Sequence, residues 1–186
     1  MNISAPLPRH CGRTILRSFS EADLERFQAY RTDPEVARYQ DWEQMTDNEA
    51  LAFFRATNAT EFLLPGCWTQ IAIAEASSGQ LIGDVGILIA ADEKEAEIGF
   101  TLHRAYQKQG LGREAVGEAI QLIYEQTRVA RIIGVTDDRN LASVRLLEFL
   151  GMDRVDSKQA VFRGEHCVEL SYALYRGSGA TDTPNR

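Results

Sequence analysis

The chain has 186 residues, 44% hydrophobic and 25% charged, with a formal net charge of -7; that suits one domain with a substantial core. The acidic balance argues against non-specific nucleic-acid binding, which needs a basic excess to displace counterions, and it is compatible with a cationic substrate such as an amine. Cys11, Cys67 and Cys167 are odd in number and match no metal-ligand spacing, and no signal peptide or apolar run of about 20 residues is visible, so we expect a cytoplasmic protein with reduced thiols, no metal and no membrane contact.

Pro6 and Pro8 suggest a flexible N-terminus over residues 1–12, and the polar "RGSGATDTPNR" suggests a flexible tail over 176–186, leaving 13–175 as the folded domain. "RTILRSF" from Arg13 alternates as a strand does. Ser20 reads as a helix N-cap, with Asp23 standing where a capping box carries Glu or Gln. Leu24, Phe27 and Tyr30 supply the apolar stripe of a helix to about Arg31. "TDPEVARYQ" predicts a turn and a short helical piece. Thr46 or Asp47 caps a second helix to about Asn58 that buries Leu51, Phe53 and Phe54.

"CWTQIAIAEA", "LIGDVGILIA" and "EAEIGFTLH" read as an antiparallel meander, with Gly83 and Gly86 marking a bulge or a close backbone approach. Leu111, Ala115, Ala119, Leu122 and Ile123 then recur at helical spacing to about Gln126. "ARIIGVTD" follows as a strand, parallel to the last of the meander because a crossover helix intervenes. "NLASVRLLEFLG" is a helix ended by Gly151. "MDRVDSKQ" and "EHCVELSYALY" close the chain as a strand or hairpin. The order defines a mixed α/β (α+β) sheet with helices on both faces.

"YQKQGLGREA" places Gly110 and Gly112 at the entrance of the longest helix, where glycine costs backbone entropy. A helix N-terminus offers unpaired N–H groups and partial positive charge, and bare backbone lets a diphosphate approach. Lys108 and Arg113 can add charge-assisted contacts. A tight structural turn is the alternative. Arg113-Glu114 stands where a Walker A loop needs Lys-Ser or Lys-Thr, and Ala115 breaks the G-x-G-x-x-G fingerprint.

Gln107-Lys108-Gln109-Gly110-Leu111-Gly112 resembles the Gln/Arg-x-x-Gly-x-Gly/Ala loop of the Gcn5-related N-acetyltransferases (GNAT), with Arg113 next to it. The strand "EIGFTLH" before it, "ARIIGVT" after its helix and "NLASVRLLEFLGM" beyond extend the likeness to roughly residues 13–175. The "EIGFTL" strand and the N-x-x-S-x-x-L-L pattern from Asn140 resemble the RimJ/RimL-type branch. The resemblance implies a largely antiparallel sheet with a central splayed parallel pair. Acetyl-coenzyme A would be the acetyl donor, its pantetheine lying along the edge of Phe100, Thr101 and Leu102, with Asn140 and Ser143 also contacting it. The acceptor would be a small amine or a peptide or protein N-terminus, and the protein a monomer or homodimer. Asn140 is equally suited to cap its helix.

Glu97, on the face shared by Glu95 and Gly99, is the candidate base for the attacking amine, or a carboxylate that holds a charged amine. Where many relatives carry a Tyr acid this chain has Leu147, and where some carry a Glu it has Val135. Ser143 is then the candidate to assist the leaving sulfur. "RYQDWEQMT" lies where the family often builds its acceptor wall, and Tyr39, Asp41 and Trp42 there could hold a cation. The competing reading is a non-catalytic acyl-coenzyme A sensor or binding protein on the same fold.

Overall fold

The computed structural model describes residues 6–177. The tail expected over 176–186 lies outside the described residues from 178 on. Among the described residues eight strands form one sheet in the order β1-β2-β3-β4-β5-β6-β8-β7. They are β1 (Arg9–Cys11), β2 (Thr14–Arg17), β3 (Trp68–Glu75), β4 (Leu81–Ile89), β5 (Glu95–Leu102), β6 (Arg131–Asp137), β7 (Asp153–Phe162) and β8 (Glu165–Tyr175). Every neighbouring pair is antiparallel except β5 with β6. The helices are α1 (Leu24–Arg31), α2 (Pro34–Ala37), α3 (Asp47–Ala59), α4 (Leu111–Gln126) and α5 (Leu141–Phe149). Residues 9–11 correct the expectation of a flexible N-terminus: past the prolines they pair with β2, and Arg9 is anchored to Glu118 and Glu125 on α4.

Two apolar clusters sandwich the sheet. On one face, Leu111, Ala115, Ala119, Leu122 and Ile123 of α4 and Leu147 of α5 bury against Ile87, Ile98 and Ile132. On the other, Phe27 and Tyr30 of α1 and Phe54 of α3 meet Phe19, Ala72 and Leu81. Leu51 and Phe53 are only partly buried there, and Ala50 turns fully inward instead. Asp23 completes the capping box that its short side chain seemed to spoil, because it caps a 3-10 turn at Glu21–Asp23 that precedes α1. Thr46 caps α3 through Glu49.

The glycines of β4 mark both features read from them. The β3 register jumps from Ile73↔Gly83 to Ala74↔Leu81, so Ile82 is bulged. A Cβ on Gly83 would stand 2.1 Å from the Thr101 carbonyl oxygen. Among the described residues no helix is long and apolar enough to cross a membrane.

Candidate active site

The parallel pair holds only at its start. Glu95, Ala96 and Glu97 pair with Arg131, Ile132 and Ile133, and there the β5–β6 ladder ends. Beyond it β5 stays with β4 while β6 stays with β8, and a gap opens between them. Hydrogen bonds show which groups face it. The Glu95 carbonyl accepts from Ala90 and the His103 N–H donates to Ile82, both on the β4 side, whereas the Lys94 carbonyl accepts from Ala130 on the β6 side. Even-numbered residues of β5 therefore aim their backbone at the gap, which selects Phe100 and Leu102. Their carbonyls accept from side chains, Gln40 Nε2 at 3.5 Å and Gln107 Nε2 at 2.9 Å. Thr101 differs from the sequence expectation. It is buried and pairs with Asp84, so its backbone serves the β4 ladder.

The loop before α4 is braced from three directions. Gln107 holds Leu102, Gln109 Nε2 donates to the Ala105 carbonyl at 2.7 Å, and Arg13 donates to the Gln109 carbonyl at 2.8 Å while pairing with Glu114 at 2.6 Å. Arg13 was not singled out on sequence, since nothing local ties it to the loop. Lys108 and Gly110 both have left-handed φ, 59° and 81°. Gly110 occupies the N-cap position without a capping side chain. The N–H groups of Leu111, Gly112 and Arg113 thus begin α4 with no acceptor inside the helix.

Gly112 has another task. A Cβ there would lie 3.0 Å from Leu102 Cδ1 and 3.4 Å from Leu146 Cδ2, so it lets α4 start tight against β5 and α5. Leu111 is buried, Lys108 is exposed, and the Arg113 guanidinium stacks 3.6 Å over the Phe149 ring.

Asn140 caps α5, its Oδ1 accepting from the Ser143 N–H at 3.3 Å. Its Nδ2 makes no hydrogen bond among the described residues. Ser143 is buried. Leu146, one turn on, reaches toward Gly112 beside Leu102, so this face of α5 looks to the rear of the gap. Leu147 is core: its Cδ2 would be 2.7 Å from a Cβ on Gly134 of β6. The close contact leaves no room for a tyrosine ring without moving β6.

On the α1 face, β5 presents Glu95, Glu97, Gly99 and Thr101. Gly99 pairs with Gly86 across the strands, and a Cβ on Gly99 would meet nothing within 4 Å. Gly99 therefore leaves an open trough beside Glu97, whereas the space over Gly86 is filled by Gln70 Nε2 and the Trp68 ring, 2.8 and 3.2 Å from where its Cβ would stand. Glu97 is half-buried and makes no hydrogen bond or ion pair among the described residues. Burial, then the charges of Glu169 and Glu95, push its carboxyl above the ordinary range. Asp137 behaves oppositely: Arg139, bonded to it at 2.7 Å, holds it down at about 2. Val135 is 40% exposed on β6.

The aromatic wall is a correction. Trp42 stacks on a cation, but the cation is Arg31 of this chain, 3.9 Å from the ring centre, buried and paired with Asp84 at 3.4 Å. The Tyr39 hydroxyl donates to the Arg139 carbonyl at 3.3 Å. Asp41 stays exposed. Among the described residues no group of three His, Cys, Asp or Glu is placed to hold a metal.

A gap lined by strand backbone that no neighbouring strand pairs, with a bare helix N-terminus at its mouth, suits a long ligand bearing amides and a pyrophosphate, and a carboxylate beside open space suits an acceptor. This is the arrangement of an acyl-coenzyme A-dependent transferase. The family model described as "Acetyltransferase (GNAT) domain" matches residues 13–153, and the chain belongs to that family, as an acetyl-coenzyme A-dependent acyltransferase. The uncharacterised N-acetyltransferase p20 of Bacillus licheniformis is 27% identical over 144 residues, covering 76% of this chain and 80% of that protein. Similar solved structures include a GNAT-family acetyltransferase from Bacillus anthracis, with TM-score 0.79 and 21% identity over 91% of this chain and 98% of that one. RimL, a ribosomal-protein alpha-N-acetyltransferase solved with coenzyme A, has TM-score 0.76 and 16% identity over 88% and 94% of the two chains.

Proposed function

We propose that this protein is a RimJ/RimL-type N-acetyltransferase that moves acetyl from acetyl-coenzyme A to a primary amine, a peptide N-terminus or a small amine, by direct attack in a ternary complex. The observation that carries this is Glu97, half-buried and unpartnered beside the open trough over Gly99. Its strand continues into the free edge at Phe100 and Leu102.

Acetyl-coenzyme A supplies an activated acyl carbon as its thioester. The chain's residues do the rest. The backbone of Phe100 and Leu102 aligns the pantetheine amides, and the α4 N-terminus with Gly110 receives the pyrophosphate. Lys108 is free to swing to it, and the Asn140 Nδ2 is free to meet the pantetheine arm. The amine must be neutral to attack, so as its nitrogen bonds the acyl carbon and the carbon–sulfur bond breaks, Glu97 takes the amine proton, directly or through water. Its raised pKa makes it a better base than Asp137, which Arg139 keeps ionised and weakly basic. An N–H of Phe100 or Leu102, facing the gap, can stabilise the developing oxyanion. The Ser143 hydroxyl donates a hydrogen bond to the departing sulfur.

Likeness to RimL supports the peptide arm of this reading at the level of fold. The test is thiol release from acetyl-coenzyme A across amines and free peptide N-termini, beside calorimetry with coenzyme A. Amine-dependent release is expected. Tight coenzyme A binding with no release on any acceptor would identify a sensor and overturn the proposal.

A further inference from the structure

Past the C-terminal end of β6 a cleft of about 230 Å3 lies between the α2 segment and the β7–β8 hairpin, lined by Arg38, Tyr39, Arg139, Phe162, Arg163 and Glu165. Three guanidinium groups face one carboxylate, in a chain whose formal net charge is -7. Arg139 is already matched by Asp137 and Glu165. Arg38 and Arg163 are exposed and form no ion pair among the described residues. Arg163 donates to the Gln40 and Trp42 carbonyls at 2.9 and 3.1 Å, and Arg38 lies 5.3 Å from the Tyr39 ring centre. Both keep donors for a planar anion, the geometry that guanidinium groups recognise in carboxylates.

The cleft is tied to the reaction gap. Gln40, whose carbonyl Arg163 holds, sends its side chain to the Phe100 carbonyl in the gap. Tyr39 bonds the backbone of Arg139, the residue before Asn140. Val135, on the trough side of β6, lies two strand residues, roughly 7 Å, before the strand end at Asp137, and the cleft opens past the turn that follows. That separation exceeds the span between amine and carboxylate in a free amino acid. An extended peptide covers it with its third to fifth residue.

Resting on the acetyltransferase reading, we propose that the acceptor is a peptide or protein N-terminus with an acidic residue among positions three to five, its carboxylate held by Arg38 and Arg163. The amine then lies over Gly99 beside Glu97, and the acid in the arginine cleft.

The experiment compares peptides with a common free N-terminus and Glu, Gln or Lys at the fourth position, on wild type and on Arg38→Gln/Arg163→Gln. An advantage of roughly 10-fold in kcat/KM for Glu over Gln is expected, about 1.4 kcal/mol, carried by KM and shrinking with added salt. In the double variant the Glu-to-Gln ratio should fall to about one. Because Arg163 also bonds two carbonyls, Arg38→Gln alone is the second variant, expected to reduce the ratio partway. Calorimetry with the N-acetylated Glu and Gln peptides reads the cleft without chemistry and should show the same preference. Equal transfer to Glu, Gln and Lys peptides, or a ratio unmoved in both variants, overturns this inference while leaving acetyl transfer standing. Failure of every acceptor, with coenzyme A still bound, overturns the acetyltransferase reading and this inference with it.

Discussion

Replacing Gly110 by Asn and by Asp gives two variants of nearly one shape that differ by one charge. Asn and Asp tolerate left-handed φ better than other side chains, so the 81° φ of Gly110 costs each roughly 1 kcal/mol. The new Cβ would stand 3.2 Å from Arg13 Nη2, the far end of a side chain that is 59% exposed and can give way. Both variants should therefore fold and melt alike. A carboxylate about 5 Å from a phosphate is repelled by about 0.8 kcal/mol at water's dielectric and about 3 kcal/mol at an effective dielectric of 20. The corresponding loss of affinity is from about 4-fold to a few hundred-fold. The loop is exposed and Arg13 stands close enough to offset part of the charge, so about 10-fold weaker coenzyme A binding is expected for Asp than for Asn. Calorimetry at two salt concentrations should show the difference narrowing as screening increases. Pantetheine, which lacks the phosphates, should bind the two variants equally. Coenzyme A affinities within twofold of each other at low salt would refute α4's N-terminus as the pyrophosphate site.

Glu97→Gln should lower kcat/KM on the order of 10²-fold. It should also remove an acidic limb on which activity rises with pH as Glu97 loses its proton. Burial and neighbouring carboxylates raise that pKa, so the limb lies above the ordinary carboxylate range, and Glu169→Gln should move it to lower pH. An unchanged limb in Glu97→Gln would assign the proton elsewhere. Ser143→Ala should slow turnover roughly 10-fold, about 1.4 kcal/mol, with coenzyme A affinity retained; unchanged kcat in steady-state kinetics would leave the leaving sulfur without assistance from this residue. Asp84→Ala strands the buried Arg31 and removes the acceptor of the Tyr30 hydroxyl. It should cost about 3–5 kcal/mol in urea unfolding, and a loss below about 1 kcal/mol would contradict the buried pair.

Periodicity and punctuation carried most of the fold. The α4 stripe, the crossover that makes β6 parallel to β5, and the meander turns are local patterns, and local patterns survive in a linear string. The misses share a cause. Arg9–Cys11 looks unstructured because its neighbours are prolines, but its strand is made by β2 and by two glutamates on α4 that lie far along the chain. Thr101 sits between Phe100 and Leu102 in sequence, yet strand alternation sends its backbone to the opposite neighbour.

The proposed donor half of the site was more legible than the proposed acceptor half for the same reason. The proposed pyrophosphate loop is contiguous, so Gly110 and Gly112 stand close together in sequence, though only the structure separates their roles into backbone conformation and helix packing. The acceptor side is assembled across strands. Glu97 draws its raised pKa from burial and from Glu169 on β8, and the trough beside it exists because Gly99 faces open space where a Cβ would meet nothing within 4 Å. Trp42 had the chemistry to hold a substrate cation, but Arg31 of α1 already fills it. That internal occupancy has a consequence for selectivity. With the aromatic wall satisfied, the proposed acceptor amine is left to Glu97, and Arg38 and Arg163, exposed and without an ion pair among the described residues, line the cleft that Gln40 ties to the gap. The order of charge along the proposed acceptor path is therefore negative, then positive, the order that suits the acceptor proposed above, a chain that presents its amine first and an acid after it.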